Sequence, residues 1–269
     1  MSSGDCNATV IQKVSITPGL IILRVSPDEG VPDFKPGQYT ILGLPSSSKR
    51  VLGSEPDKKK YDSEKMIKRA YSISSASVEK DYLEFYITLV RSGELTPRLF
   101  ALESMSRVFV GKKPVGMFTL DKVPENKNIL FIGTGTGLAP YISMIRSDMT
   151  LHQDRVFVIL HGASCSWELG YRDELATLDR LTNVFHYLPT ITEPEKDPSW
   201  NGLTGYIQPI ITSGQLEEKI DLEFTPENFD VLLCGNPVMV DEVKKLLVDR
   251  GFTLDEKKVQ GNVHAETYW

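Results

Sequence analysis

Ile129-Leu130-Phe131-Ile132-Gly133-Thr134-Gly135-Thr136-Gly137-Leu138-Ala139-Pro140 is a short apolar run that ends in alternating glycine and threonine. An apolar run of this length suits a strand buried on both faces. The glycines at its carboxyl end open a helix from about Leu138, where backbone N–H groups and the helix dipole meet an anion. Leu138 stands where a GxGxxG fingerprint needs its third glycine, and no Gly-Lys-Ser/Thr follows as in a P-loop. Alone, the stretch supports two readings equally, a nucleotide site and a tight strand-to-helix turn. The same pattern recurs downstream. Arg155 to Leu160 precedes a helical stretch from Trp167 to Leu181, and Val231 to Leu233 precedes one from Val238 to Arg250. Buried strands alternating with helices predict an α/β domain with a parallel sheet, over 125–269. Such sheets bind ligands at the carboxyl ends of their strands. Cys234-Gly235-Asn236-Pro237 is a second strand end of that kind, so the two turns converge on one crevice.

Upstream of Pro124-Glu125-Asn126-Lys127 the texture differs. Short strands are expected at Val10 to Ile16, Leu20 to Val25, Gln38 to Gly43, Ala70 to Ser74, Leu83 to Val90 and Arg107 to Val110, separated by Gly, Pro and Ser, with one helix near Pro97 to Leu102. That pattern predicts an antiparallel β-barrel over 1–124. Pro45 to Lys68 is polar, charged and aperiodic, and reads as a long surface loop.

Composition narrows the function. Thirty-six acidic residues against thirty basic ones give a net charge of −6, which argues against broad attraction to nucleic acid or an anionic membrane. The three cysteines, Cys6, Cys165 and Cys234, are far apart. This excludes a structural zinc site or four-cysteine cluster from this chain alone, so no metal is expected. No apolar run approaches the ~20 residues needed to cross a bilayer. The N-terminus carries no secretory pattern, and a reducing, cytoplasmic home is expected.

In the first half, Arg69-Ala70-Tyr71-Ser72 sets a cation, an aromatic ring and a hydroxyl on one strand. Alternation turns Arg69 and Tyr71 to one face and Ser72 to the other. The series Phe34-Lys35-Pro36-Gly37-Gln38-Tyr39, Arg69 to Ser72, Gly93-Glu94-Leu95-Thr96, Gly133 to Pro140, Cys234 to Pro237 and Ala265-Glu266-Thr267-Tyr268-Trp269 resembles, in order and spacing, the bacterial ferredoxin (flavodoxin)–NADP reductase family.

The resemblance implies an FAD-binding barrel followed by a pyridine-nucleotide domain, with FAD between them. It also implies exchange of electrons between NAD(P)H and ferredoxin or flavodoxin. Arg69 and Tyr71 match the residues that hold the FAD pyrophosphate and flavin, Ser72 the serine beside flavin N5, and Tyr86 a further FAD contact. Glu94, Leu95 and Thr96 match the turn that binds the pyrophosphate through backbone N–H groups, with the Thr96 hydroxyl added. Ala70 and Tyr268 belong to the same cofactor-binding set. Trp269 matches the terminal aromatic ring that covers the flavin where nicotinamide must stack, and so gates hydride transfer. Thr136, Cys234 and Glu266 match positions around the nicotinamide. Thr134, Gly135, Gly137, Gly235 and Asn236 complete the nucleotide-binding strand ends. Ser72, Cys234, Glu266 and Trp269 are the residues expected at the reacting centre.

The chain departs from the family at the adenosine 2′-phosphate. Three arginines common in bacterial relatives are replaced by Ser164, Thr192 and Tyr206. Hydroxyls supply only part of an arginine's paired, charge-assisted bonding, so NADP preference is expected to be weaker and NAD use is open. Hydroxyls of Ser164, Thr190 and Thr192 remain donors, and Arg172 is the candidate replacement cation, with Arg155 and Arg180 as alternates. Tyr206 falls where plant-type enzymes pack tyrosine on adenine. Lys58, Lys59, Lys60, Lys65 and Lys68 form a candidate docking patch for an acidic carrier. Two other functions fit the same residues, the NADH-linked reductase component of an oxygenase and a non-enzymatic flavin-binding module.

Overall fold

The computed structural model describes residues 6–61, 65–149 and 154–267. Its contacts divide the chain into two compact units, Met1–Thr119 with Ala139–Ser147, and Leu120–Leu138 with Asp148–Trp269.

The first unit contains β1 (Ala8–Thr17), β2 (Leu20–Pro27), β3 (Tyr39–Pro45), β4 (Met66–Ser72), β5 (Leu83–Thr88), α1 (Thr96–Phe100) and β6 (Arg107–Val110). The strands pair antiparallel in the order β4-β3-β6-β1-β2-β5. Past Ser72 the chain runs on along β5, where Ile73 bridges Phe85 and the Ser74 N–H reaches the Glu84 carbonyl at 2.8 Å. The two outer strands are thereby joined, which removes the exposed edges of an open sheet. Inside lie Val10, Leu23, Val25, Leu42, Phe85, Leu99 and Val108, all fully buried. Helix α2 (Ala139–Asp148) belongs to this unit: Ser143 donates to the Ser75 carbonyl at 2.8 Å, and Arg146 meets the fully buried Glu84 at 2.7 Å. Arg24 reaches the other oxygen of Glu84 at 2.7 Å, so the buried carboxylate is flanked by two cations.

The second unit carries a six-stranded, wholly parallel sheet in the order β10-β9-β8-β7-β11-β12. Its strands are β7 (Asn128–Thr134), β8 (Phe157–Ala163), β9 (Phe185–Ile191), β10 (Leu203–Thr204), β11 (Phe229–Gly235) and β12 (Val263–Thr267), and its helices α3 (Arg172–Leu181), α4 (Ile207–Thr212), α5 (Gln215–Ile220) and α6 (Pro237–Asp249). Successive strands step one way from β7 to β10, and the next pair lies on the opposite side of β7. The order therefore reverses between β7 and β11, and the crevice at their carboxyl ends is a topological switch point. Leu130, Ile132, Val158, Leu160, Val231 and Leu233 form the core under α4, α5 and α6.

Several elements depart from the sequence expectation. The helix expected from Trp167 begins only at Arg172. Ser166–Glu168 is a tight 3-10 turn, and Tyr171, at φ 61°, breaks the path into the helix. β9 and β12 escaped notice because His186 and Pro189 interrupt one and His264, Glu266 and Thr267 the other, so neither presents an unbroken apolar run.

Candidate functional site

In the first unit, β4 brings Arg69 to the surface with its side chain 55% exposed, while Tyr71 is half-buried and Ser72 buried. Burial pushes the Tyr71 hydroxyl well above its ordinary pKa, so it remains protonated. Ala70 is exposed beside them, and Tyr86 is buried on β5. Glu94 stands opposite Arg69. One carboxylate oxygen meets the Arg69 guanidinium at 2.5 Å and the other accepts the Tyr61 hydroxyl. These bonds, Tyr61 first, hold the Glu94 carboxyl below the usual range. The N–H groups of Glu94 and Leu95 have no acceptor among the described residues. The Thr96 hydroxyl is committed differently from expectation: it accepts the Val90 N–H at 3.0 Å and donates its single proton to the Val90 carbonyl at 3.1 Å. It has no proton left for a phosphate oxygen.

In the second unit the turns after β7 and β11 lie against each other, since Gly133 pairs with Cys234 in the ladder. A Cβ on Gly137 would come 2.4 Å from the Cys234 carbonyl oxygen, and one on Gly235 equally close to Thr134 Oγ1. Neither distance is tolerable, so glycine is required on both sides for the turns to touch. Thr134 Oγ1 accepts the Asn236 N–H at 2.9 Å, and Asn236 Oδ1 caps α6 by accepting the Val238 N–H at 2.8 Å. Gly135, at φ 53°, is half-buried and has open space where a Cβ would stand, which leaves a backbone ledge at the carboxyl end of the sheet. Thr136 is half-buried within the same turn and Cys234 fully buried beneath it. His161 at the end of β8 is fully buried, with Nδ1 3.1 Å from the Tyr187 hydroxyl. Burial lowers its pKa to about 4, so the ring is neutral.

Further along the strand ends, Ser164 is exposed, Thr192 half-buried and Tyr206 70% exposed at the start of α4. Arg172, the first residue of α3, borders a cavity of about 420 Å³ together with Ser166, Tyr187, Ser199, Trp200 and Asn201. Its guanidinium lies 5.9 Å from the centre of the Trp200 ring and 3.7 Å from Asp173. Buried Asp197 accepts the Ser166 N–H and the Ser199 hydroxyl, which pins the loop carrying Trp200. Thr190, by contrast, is fully buried and donates to the Gly205 carbonyl at 2.9 Å, so it is not the free surface donor the sequence suggested. Arg155 precedes β8 and packs near Pro124, and Arg180 lies near the far end of α3. Both sit toward the amino ends of the strands, away from the crevice.

Comparison with known proteins places these features in a family. Residues 131–245 match the oxidoreductase NAD-binding domain. The flavodoxin/ferredoxin–NADP reductase of Buchnera aphidicola subsp. Schizaphis graminum is 31% identical over 264 residues, 98% of each chain. That of Escherichia coli (strain K12) is 32% identical over 237 residues, 88% of each. The chain belongs to the flavodoxin/ferredoxin–NADP reductase family. The crystal structure of a ferredoxin NADP+ reductase from Neisseria gonorrhoeae with bound FAD and NADP matches the fold with a TM-score of 0.82, at 25% identity over 98% of both chains.

As a reductase of this family, the chain brings Arg69, Ala70, Tyr71, Ser72 and the Gly93–Thr96 turn onto one unit and Thr134 to Gly137 with Cys234 to Asn236 onto the other. Glu266 lies on β12 in register with Cys234. Tyr268 and Trp269 lie outside the described residues. Sequence reading passed over Asp57, Tyr61, Arg98, His161 and Trp200. Arg98 follows Gly93-Glu94-Leu95-Thr96 by two positions, which was a usable signal; Asp57 and Trp200 stand in aperiodic loops that carried none. The loop expected from Pro45 to Lys68 ends earlier, because Met66 to Lys68 already belong to β4, and its 46–61 part is less free than a solvated loop. Arg50 and Asp57 anchor it, while Lys58, Lys59 and Lys60 at its tip are exposed.

Proposed function

We propose that this protein is an FAD-dependent oxidoreductase that exchanges electrons between the NAD(P)H/NAD(P)+ couple, which gives or takes a hydride, and a ferredoxin or flavodoxin, which carries one electron at a time. The observation that carries this reading is 31–32% identity to flavodoxin/ferredoxin–NADP reductases across 88–98% of the chain, running through both units. FAD, when bound, supplies the conversion between two-electron and one-electron chemistry. The chain fits that cofactor: an exposed cation, two backbone N–H groups with no acceptor among the described residues and a buried serine stand together on the first unit. Residues 1–124 are proposed as its domain, and residues 125–269 as the nucleotide domain.

Each proposed residue has a physical task. Arg69 draws a diphosphate oxygen by a charge-assisted bond, and the N–H groups of Glu94, Leu95 and Thr96 supply neutral donors. Tyr71 stays protonated and would pack against the flavin. Ser72 directs a hydroxyl toward the reacting edge. In the second unit the Gly135 ledge and the Thr134 to Gly137 turn receive the nucleotide diphosphate, and Thr136, Cys234 and Glu266 border the nicotinamide. Trp269 would serve as a cover for the flavin face that nicotinamide has to displace. At the adenosine end Tyr206 offers a ring for the base, Ser164 and Thr192 offer hydroxyls, and Arg172 offers the charge that a 2′-phosphate requires. The exposed Lys58, Lys59 and Lys60 are suited to steering an acidic carrier.

The test is anaerobic mixing of the purified yellow protein with NADPH or NADH, followed by addition of an oxidised ferredoxin or flavodoxin. Rapid bleaching of the flavin and reduction of the carrier are expected. Bleaching without carrier reduction would redirect the assignment to another acceptor, and no bleaching with either nucleotide would overturn it.

A further inference from the structure

The segment between β3 and β4 is tied to the turn before α1 by a cluster that the proposed reaction does not use. Arg98 is 2% exposed and its guanidinium makes four bonds: to Asp57 Oδ1 at 3.0 Å, to Asp57 Oδ2 at 2.5 Å, to the Glu94 carbonyl at 2.6 Å and to the Ser46 carbonyl at 2.5 Å. Arg50 meets the same carboxylate at 2.6 Å, the Gly93 carbonyl at 3.0 Å and the Glu55 carbonyl at 2.5 Å. Two main-chain bonds add to the tie, from the Val51 N–H to the Pro97 carbonyl and from the Glu55 N–H to the Arg91 carbonyl. Tyr61, at the far end of the segment, binds Glu94.

The geometry of the peptide bond gives this cluster a consequence. In a trans peptide the carbonyl of one residue and the N–H of the next point in opposite directions. Holding the Gly93 and Glu94 carbonyls on two guanidinium groups therefore aims the N–H groups of Glu94 and Leu95 to the other side, and those N–H groups are unpaired among the described residues. We propose that Asp57 is a positioning residue for FAD: by neutralising Arg98 and Arg50 together it fixes the turn whose N–H groups receive the diphosphate, and the 46–61 segment is the brace that carries it. The inference rests on the reading of Gly93 to Thr96 as the diphosphate turn.

A buried guanidinium deprived of its carboxylate is costly, because its remaining partners are only carbonyl oxygens. In Asp57→Asn, Arg98 would shift toward solvent and release the Glu94 carbonyl. Electrostatics alone predicts the opposite effect on FAD, since deleting a negative charge near the turn makes it more attractive to an anion. The sign of the change thus separates positioning from field.

The experiment measures the rate of FAD release from the holoprotein and its affinity on rebinding, by flavin fluorescence, for wild type, Asp57→Asn, Arg50→Gln and Arg69→Ala. FMN, which lacks the diphosphate, is titrated alongside. Asp57→Asn is expected to weaken FAD about ten-fold or more, and Arg50→Gln several-fold, with FMN affinity nearly unchanged in both. Unchanged or tighter FAD in Asp57→Asn, with FAD weakened in Arg69→Ala, overturns the brace and leaves the diphosphate reading standing. Equal loss of FAD and FMN also overturns it, as that marks general damage. FAD affinity untouched in Arg69→Ala removes the diphosphate reading and the inference with it. Should Asp57→Asn not fold, Arg50→Gln decides by the same FAD-to-FMN ratio.

Discussion

The turn before α1 is held by side-chain charge, with Arg98 and Arg50 gripping its carbonyls and Asp57 neutralising both. The turns after β7 and β11 hold each other by backbone contact, Gly137 against Cys234 and Gly235 against Thr134. Both arrangements are proposed to turn N–H groups or bare backbone toward a diphosphate, but they fail differently. A charged brace tolerates small changes of shape and depends on protonation. A glycine contact is indifferent to protonation and cannot accept one added carbon.

The largest effect is expected from Gly137→Ala. The new Cβ would sit 2.4 Å from a main-chain oxygen that cannot move without β11. Overpacking of this kind costs roughly 1–3 kcal/mol in stability, and displacement of the nucleotide ledge should lower the rate of flavin reduction by about a hundred-fold, since small misplacements cost that much. Stopped-flow bleaching and a melting curve measure both. A variant that reduces flavin at the normal rate would mean that the ledge does not position the nucleotide.

Acid separates the two units next. His161 has a folded pKa of about 4 because burial disfavours its charged form, against about 6.5 when unfolded. Below pH ~6.5 the unfolded chain binds a proton that the folded chain does not, so stability falls as pH drops from ~6.5 toward ~4, by about 3 kcal/mol in all. The carboxyls of Asp57 and Glu94 are held below their ordinary range, Asp57 chiefly by the Arg98 bond and Glu94 chiefly by the Tyr61 bond. Their contribution is present above the unfolded carboxylate pKa, about 4, and is lost only as pH falls from there through the lowered folded pKa values. Denaturant titrations at pH 7 and pH 4.5 should therefore show a decline that is largely removed in His161→Gln. An equal decline in the variant would assign the acid sensitivity elsewhere.

Arg172→Ala sharpens the contrast at the proposed adenosine end, where side-chain charge returns to the second unit. A charge-assisted contact made only to the 2′-phosphate contributes roughly 1.5–3 kcal/mol, or about ten- to a hundred-fold in affinity. Loss of kcat/KM for NADPH with NADH spared is expected. NADPH preference surviving the substitution would assign the phosphate to the hydroxyls of Ser164 and Thr192, since Arg155 and Arg180 stand at the wrong end of the strands.

The smallest effect concerns Trp269. If a ring covers the flavin, ligand affinity is reduced by the fraction of molecules that are open, so deletion of Trp269 should tighten binding of the oxidised nucleotide several-fold. Calorimetry on wild type and truncated protein reads this directly, and unaltered affinity would remove the gate.

How far the site could be read in advance follows the same division. The β7 and β11 strand ends were legible because each joins a local apolar run to glycines within a few residues, and the switch point then follows from a parallel sheet. Arg69 to Ser72 and Gly93 to Thr96 were legible as short motifs. Thr190 and the Thr96 hydroxyl were misjudged because a hydroxyl in sequence says nothing about where its one proton goes. In the fold those protons go to the Gly205 and Val90 carbonyls.

Sequence by itself determined the fold class, the two textures, the family and the absence of the three phosphate-clamping arginines, since each is a matter of local period or residue type. Tertiary structure alone decided which charges meet. Asp57 and Arg98 stand 41 positions apart, with the strands β4 and β5 between them. No periodicity encodes such a pairing, because it depends on closure of the barrel around a long insertion. The same holds for Gly137 against Cys234: only the insertion of β11 beside β7, across the reversal of strand order, makes a glycine obligatory there.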